Sequence, residues 1–266
     1  MTGYARRVRG EAEGRVALVT GAGSPEGIGF ATARILGRDG LAVAIASTTD
    51  RIRERADELR VAGVDAEGFV ADLTDRSQVA EVAEAVQRRF GRVDVLVNNA
   101  GMVTVADDGW EDRPFLELDD WAWDRDLAMN LGTAYNVTRA LLPPMVDRGW
   151  GRVVMVSSVT GPVVTNVGSV GYSAAKAGMD GLMRGLAIEV AASGVTVNSV
   201  QPGWIATGSQ TPDEAVAGTH TPIGRSGTPE EVGEAIAFLA SERASYITGQ
   251  TLIVDGGNVI QEAKGP

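Results

Sequence analysis

The 266 residues include no cysteine, and His220 is the single histidine. Disulfide staples and thiolate metal sites are excluded, imidazoles cannot cluster, and no metal site is expected. Aromatic residues are scarce, at 5%. No run of about 18 apolar residues goes uninterrupted, so no transmembrane helix is expected. Positive charge is short as well: 24 Lys and Arg stand against 35 Asp and Glu, a formal charge of -11. Nucleic-acid and anionic-membrane surfaces need clustered Lys and Arg to neutralise phosphate, so neither partner is expected, and a small molecule fits better. Residues 1–13 carry Arg6, Arg7 and Arg9 without the apolar stretch of a secretory signal, and read as an N-terminal extension on a cytoplasmic protein.

Hydrophobic residues at 44% and charged residues at 22% supply the material for a large buried core. Single α/β domains of about 250 residues are routine, and no Pro/Gly/Ser-rich linker or internal repeat divides the chain, so 14–266 reads as one domain. Strand-length apolar runs at 15–20, 41–46, 66–71, 93–97, 152–156, 195–200 and 251–254 alternate with helix-period segments. The helices fall at 31–38, 51–61, 76–90, 172–192 and 229–240. This alternation predicts an α/β fold: a doubly wound, parallel, seven-stranded sheet with helices on both faces. Two segments stand out as loops, 102–120, which is acidic and holds Trp110, and 208–228, rich in Thr, Gly and Pro. Both follow strand ends on the side where open α/β sheets bind ligands.

Directly after the first strand comes Thr20-Gly21-Ala22-Gly23-Ser24-Pro25-Glu26-Gly27-Ile28-Gly29. Strand, glycine turn and helix form the setting of a dinucleotide site: Gly21 takes a tight turn, Gly27 admits a pyrophosphate, and Gly29 allows close helix packing. In a chain with 34 glycines a merely structural loop is the competing reading, which the position after the first strand disfavours. At the end of the second strand a carboxylate would accept from an adenosine ribose and repel a 2′-phosphate. Here Ser47 and Thr48 stand there with Arg51 nearby, so NADP is expected, with NAD as the alternative. Asp50 reads as a cap of the next helix.

Tyr172 and Lys176 lie four residues apart and share a helix face, where an ammonium would lower the pKa of a phenol. Ser157 and Ser158 end the fifth strand and would deliver a hydroxyl able to polarise a carbonyl. A Tyr and Lys so spaced are common on ordinary helices. The combination is not: glycine loop, Asn98-Asn99-Ala100-Gly101, Ser158, Tyr172, Lys176 and Pro202-Gly203 occur in one order on one alternating scaffold.

This ensemble resembles the short-chain dehydrogenase/reductase family, from about residue 14 to residue 257, and within it members like the bacterial 3-oxoacyl-(acyl-carrier-protein) reductases. The resemblance implies a Rossmann-type fold, an NADP- or NAD-dependent interconversion of carbonyl and alcohol, and a homotetramer. It implies that Tyr172 is the general acid/base, Ser158 orients the carbonyl, and Lys176 activates the tyrosine and binds the nicotinamide ribose. Asn130 would hold a water in the proton relay; a helix-interior Asn bonded to backbone is the other reading. On the cofactor it implies Gly21, Ser24, Gly27 and Ile28 at the phosphates, with Ser47, Thr48, Asp72 and Leu73 at the adenosine. Asn98 and Gly101 would pass under the ribose. Pro202, Gly203, Ile205 and Thr207 would line the nicotinamide, Ile205 over the ring and Thr207 on the carboxamide.

The chain departs from that pattern in places. Five residues separate Gly21 from Gly27 where the family usually has three, and Glu26 stands where NADPH-preferring relatives often place a base. The step from Ser158 to Tyr172 is one residue longer than usual, which keeps Ser157 as a substitute. The 102–130 stretch is longer and the 207–222 lid shorter than in related reductases. Met102, Val103, Val163, Val164, Trp204 and the lid near Thr211 are candidates for an apolar substrate wall. Two other readings compete: a non-catalytic dinucleotide-binding protein, and epimerase or dehydratase chemistry on nucleotide sugars. Asn130, Ser158, Tyr172 and Lys176 together argue against the first, and the short chain beyond the sixth strand argues against the second.

Overall fold

The computed structural model describes residues 14–101 and 113–263. Its strands are β1 (Val16–Thr20), β2 (Ala42–Ser47), β3 (Ala66–Val70), β4 (Val95–Asn98), β5 (Gly151–Val156), β6 (Val195–Pro202) and β7 (Thr251–Val254). They form one sheet in the order β3-β2-β1-β4-β5-β6-β7, and every neighbouring pair is parallel. The helices are α1 (Ile28–Arg38), α2 (Arg51–Val61), α3 (Arg76–Phe90), α4 (Asp120–Asp126), α5 (Thr133–Asp147), α6 (Val170–Val190), α7 (Pro212–Thr219) and α8 (Pro229–Leu239).

Central strands are apolar almost throughout because both sheet faces are covered: β1 and β5 are buried at every position. Successive side chains go to opposite cores. Ala17 and Val19 join Phe30, Leu36, Ile52, Leu59 and Ile236, from α1, α2 and α8. Leu18 joins Val79, Val86, Leu141, Met145, Met179 and Met183, from α3, α5 and α6. Strand order reverses between β1 and β4, which opens a crevice beyond the carboxyl ends of those strands, the place where doubly wound sheets bind ligands. Among the described residues no helix is long and apolar enough to cross a membrane.

Two expectations need correction. The 208–228 stretch is not loop throughout: it contains α7, opened by a reciprocal capping box between Thr211 and Glu214 with Pro212 in the first turn. Asp50 does occupy the position before α2, but its side chain makes no capping bond; Oδ1 instead accepts from Arg53 Nε at 3.2 Å.

Candidate active site

The glycine loop is held by contacts that leave no room for side chains. Gly21 has φ +69°, and a Cβ on it would stand 2.8 Å from Ala100 Cα. A Cβ on Gly29 would stand 2.6 Å from Asn99 Nδ2 and 2.7 Å from the Gly21 oxygen. Asn99 braces the loop by donating Nδ2 to the Thr20 and Gly21 carbonyls, at 3.0 and 3.1 Å. Thr20 Oγ1 accepts from the backbone N–H of Asn99 and of Ala100. Nothing in the sequence pattern singles out Asn99 for this role. Its partners lie 78 and 79 positions away, and only the order of strands brings them together.

The start of α1 is unusually bare. Gly27 precedes it in extended conformation, no side chain caps it, and no acid lies in its first turn. By contrast α8 has Thr228 and Glu231 in a capping box and Glu230 beside them. The free N–H groups and positive dipole end of α1 thus remain available to an anion such as a pyrophosphate. Ser24 turns the loop through its carbonyl, which accepts the Gly27 N–H at 3.2 Å. The inserted Glu26 reaches the other side of the crevice, its Oε2 lying 3.0 Å from where a Gly208 Cβ would be.

At the outer end, Ser47 Oγ donates to the Thr49 carbonyl at 3.2 Å and lies 2.9 Å from where a Cβ on Gly23 would be. Thr48 is exposed beside it, and Arg51 Nε donates to Thr49 Oγ1 at 3.3 Å. Asp72 is exposed and turns the chain, Oδ1 accepting from the N–H and the hydroxyl of Thr74. The Leu73 side chain is core, which leaves its backbone alone for a ligand.

Beyond β5 the two serines separate. Ser157 is buried and its hydroxyl donates to the Lys176 carbonyl at 3.1 Å, a packing role. Ser158 Oγ accepts from the Thr160 N–H at 3.0 Å, and its hydroxyl is close enough to the Tyr172 phenol to pull its pKa down. Lys176 is buried one turn on, with Nζ 5.5 Å from the Tyr172 ring centre and donating to the Val156 carbonyl at 3.0 Å. Burial pushes its ammonium down to about 8, against the pull of Asp180. The phenol differs from the sequence expectation: burial pushes Tyr172 up, the Ser158 hydroxyl opposes this, and the carboxylates of Glu214 and Asp126 add to the rise. Desolvation outweighs the nearby ammonium, whose hydrogen bond is spent on backbone.

Asn130 sits in a π-helical segment, Leu127–Gly132, that joins α4 to α5. The wide turn is a local irregularity of the kind that accompanies functional sites. Asn130 is fully buried, its Nδ2 donates to the Asp126 carbonyl at 3.2 Å, and its Oδ1 has no partner. Gly101, at φ +130°, passes so close that a Cβ would stand 2.9 Å from that Oδ1. Asn98, at the end of β4, donates to Thr138 Oγ1 at 2.8 Å and also leaves a buried, unpartnered Oδ1.

The far end of the crevice follows β6, which Pro202 closes. Gly203 packs so tightly on Asp255 that a Cβ would stand 2.6 Å from its Cβ. The Ile205 side chain is largely buried, with its Cδ1 2.9 Å from where a Cβ on Gly227 would be. Thr207 Oγ1 is 3.1 Å from Ser209 Oγ. Of the expected substrate wall, Met102 and Val103 fall outside the described residues, as does Trp110; Val163 is exposed and Val164 and Trp204 are half-buried.

These residues fit a dinucleotide: a turn with no room for side chains at Gly21 and Gly29, an uncapped helix start, and two buried amide oxygens without partners, on Asn98 and Asn130. Among the described residues no group of three His, Cys, Asp or Glu is placed to hold a metal ion.

Residues 21–258 match the family described as enoyl-(acyl carrier protein) reductase. The chain is 40% identical over 259 residues to the 3-oxoacyl-(acyl-carrier-protein) reductase FabG of Thermotoga maritima, covering 93% of this chain and 99% of that one. It is 36% identical over 266 residues to the oxidoreductase UcpA of Salmonella typhimurium, covering 96% and 98%. A solved structure of a candidate gluconate dehydrogenase from Agrobacterium tumefaciens superimposes with a TM-score of 0.85 at 32% identity, covering 94% and 97%. The chain belongs to the short-chain dehydrogenase/reductase family of oxidoreductases.

Proposed function

We propose that the protein interconverts a carbonyl and a secondary alcohol with NADP(H), Tyr172 acting as general acid/base. The observation that carries this reading is the meeting of Ser158, Tyr172 and Lys176 at the carboxyl edge of the sheet that also holds the uncapped start of α1. A bound nicotinamide supplies the hydride for reduction or takes it up in oxidation. Ser158 donates to the carbonyl oxygen and orients it between the two hydroxyls. Tyr172 gives its proton to that oxygen in reduction and takes it back in oxidation. With its ammonium at about 8, Lys176 is still mostly charged near neutrality and stabilises the phenolate left behind. Asn130 Oδ1, buried and unspent, is the acceptor for a water that returns a proton to Tyr172.

NADP is favoured over NAD by the absence of a carboxylate at Ser47 and by Arg51 close by. The NAD reading draws on Glu26, a negative charge in the phosphate loop. The name of the Thermotoga maritima relative suggests a ketone or 3-oxoacyl substrate. A homotetramer is supported by exposed apolar side chains on three elements, Tyr135 on α5, Ile188 on α6, and Leu252 and Ile253 on β7. The test follows reduced-nicotinamide absorbance against a panel of ketones and 3-oxoacyl thioesters, with NADPH and with NADH. Turnover with higher kcat/KM for NADPH is expected. A preference for NADH of about tenfold, or 1.4 kcal/mol, refutes the cofactor assignment, and no turnover with either refutes the activity.

A further inference from the structure

Gly208 lies on the segment that leaves β6, one residue after Thr207. Its φ is not positive, so its backbone would accept any side chain. What a side chain would meet is the glycine loop from the other side of the crevice. A Cβ on Gly208 would stand 3.0 Å from Glu26 Oε2 and 3.6 Å from both Glu26 Cβ and Ser24 Oγ. Glycine serves here for close approach and not for a turn. Both sides of the contact are braced. On the lid side, the Gln210 N–H donates to the Thr207 carbonyl at 3.0 Å, the Ala206 N–H to the Gly227 carbonyl at 2.8 Å, and Gln210 Nε2 to Ser226 Oγ at 2.9 Å. On the loop side, the Gly27 N–H closes on the Ser24 carbonyl, and Pro25 between them has a fixed φ. Five residues between Gly21 and Gly27, against the usual three, give the loop this reach, and the contact falls beside the uncapped start of α1.

We propose that Glu26 is a positioning residue: it clasps the lid at Gly208, joining loop and lid across the crevice beside the diphosphate site, and so slows release of the dinucleotide. The proposal rests on the reading of the crevice as a dinucleotide site. The sign of the effect separates a clasp from simple electrostatics. A carboxylate next to a diphosphate repels it, so by charge alone Glu26 would speed release and its removal would slow it. As a clasp Glu26 does the reverse: its loss frees the lid from the loop, and the dinucleotide leaves faster.

The experiment follows NADPH dissociation from the full chain by stopped-flow nicotinamide fluorescence, in wild type, Glu26→Ala, Gly208→Val and the double variant; NADH is the probe if the wild type binds it more tightly. Each single substitution is expected to speed release by about threefold to tenfold, and the double variant no more than the faster single, because both break one contact. Tm and the single-turnover rate of hydride transfer should stay in place, which a merely structural role for Glu26 would not give. Slower release in Glu26→Ala, unchanged release in either single variant, or effects that multiply in the double variant overturn the proposal. If Gly208→Val does not fold, the sign of the change in Glu26→Ala decides alone. Failure of the wild type to bind either dinucleotide refutes the cofactor reading instead, a result separable from unmoved release rates in a protein that binds one.

Discussion

The two ends of the sheet treat their buried polar groups in opposite ways. At the amino ends, Asp94 is wholly buried and accepts from the Val16 N–H at 3.0 Å and from Arg92 at 2.6 and 2.9 Å. Arg152, 3% exposed, donates to the Gly151 carbonyl and to Glu242, while Arg152 and Arg15 both lie over the Trp150 ring. Trp150 in turn donates to Glu242 at 3.0 Å. At the carboxyl ends, Asn98 Oδ1 and Gln201 Oε1 are buried without partners, as is Asn130 Oδ1 close to Gly101 after β4. Thr196 Oγ1, near the start of β6, and Arg55 Nε, on α2, are also buried without partners, away from that edge. Buried polar atoms are normally satisfied, and three of the five unspent ones among the described residues gather at the carboxyl edge, where the fold leaves hydrogen bonds for something else. One end closes the domain; the other is built to bind.

Substitutions at each end should therefore fail in different ways. At the carboxyl end, Gly29→Ala forces the loop away from Asn99 and Gly21. NADPH affinity should fall roughly 100-fold, the loss of one or two charge-assisted hydrogen bonds, with little change in Tm. Titration calorimetry checks this, and unchanged affinity would break the comparison. At the amino end, Arg152→Met should cost about 2 kcal/mol of stability in urea denaturation, since it strips bonds from Glu242 and the Gly151 carbonyl. Turnover per folded molecule should stay the same; a changed kcat with unchanged stability would show that the ends are not separate.

Most of the architecture was legible because the apolar periods are strong. Strands buried on both faces read as continuous apolar runs, and the observed boundaries fall within two residues of those expected, as with β4 at Val95 against 93 and β6 reaching Pro202 against 200. α7 was hidden by composition: Thr, Gly and Pro between 208 and 228 suggested loop, although Thr211-Pro212-Asp213-Glu214 carries the capping-box signal. At the site, chain order brought forward Tyr172, Lys176 and the serine pair, but two adjacent serines point opposite ways from a strand end and only three dimensions separate Ser157 from Ser158. The sign of the Tyr172 shift was not legible either. A neighbouring lysine is visible in a sequence; the burial that outweighs it, and the carboxylates of Glu214 and Asp126, belong to packing between distant elements.

The central claim is that the carboxyl edge holds a proton donor beside a dinucleotide cradle, and Tyr172→Phe tests it most directly when turnover and NADPH dissociation are measured on the same preparation. The account predicts a loss of turnover of about 10³-fold, the worth of general acid/base catalysis, with the dissociation constant unchanged. Turnover that survives the loss of this hydroxyl would contradict it.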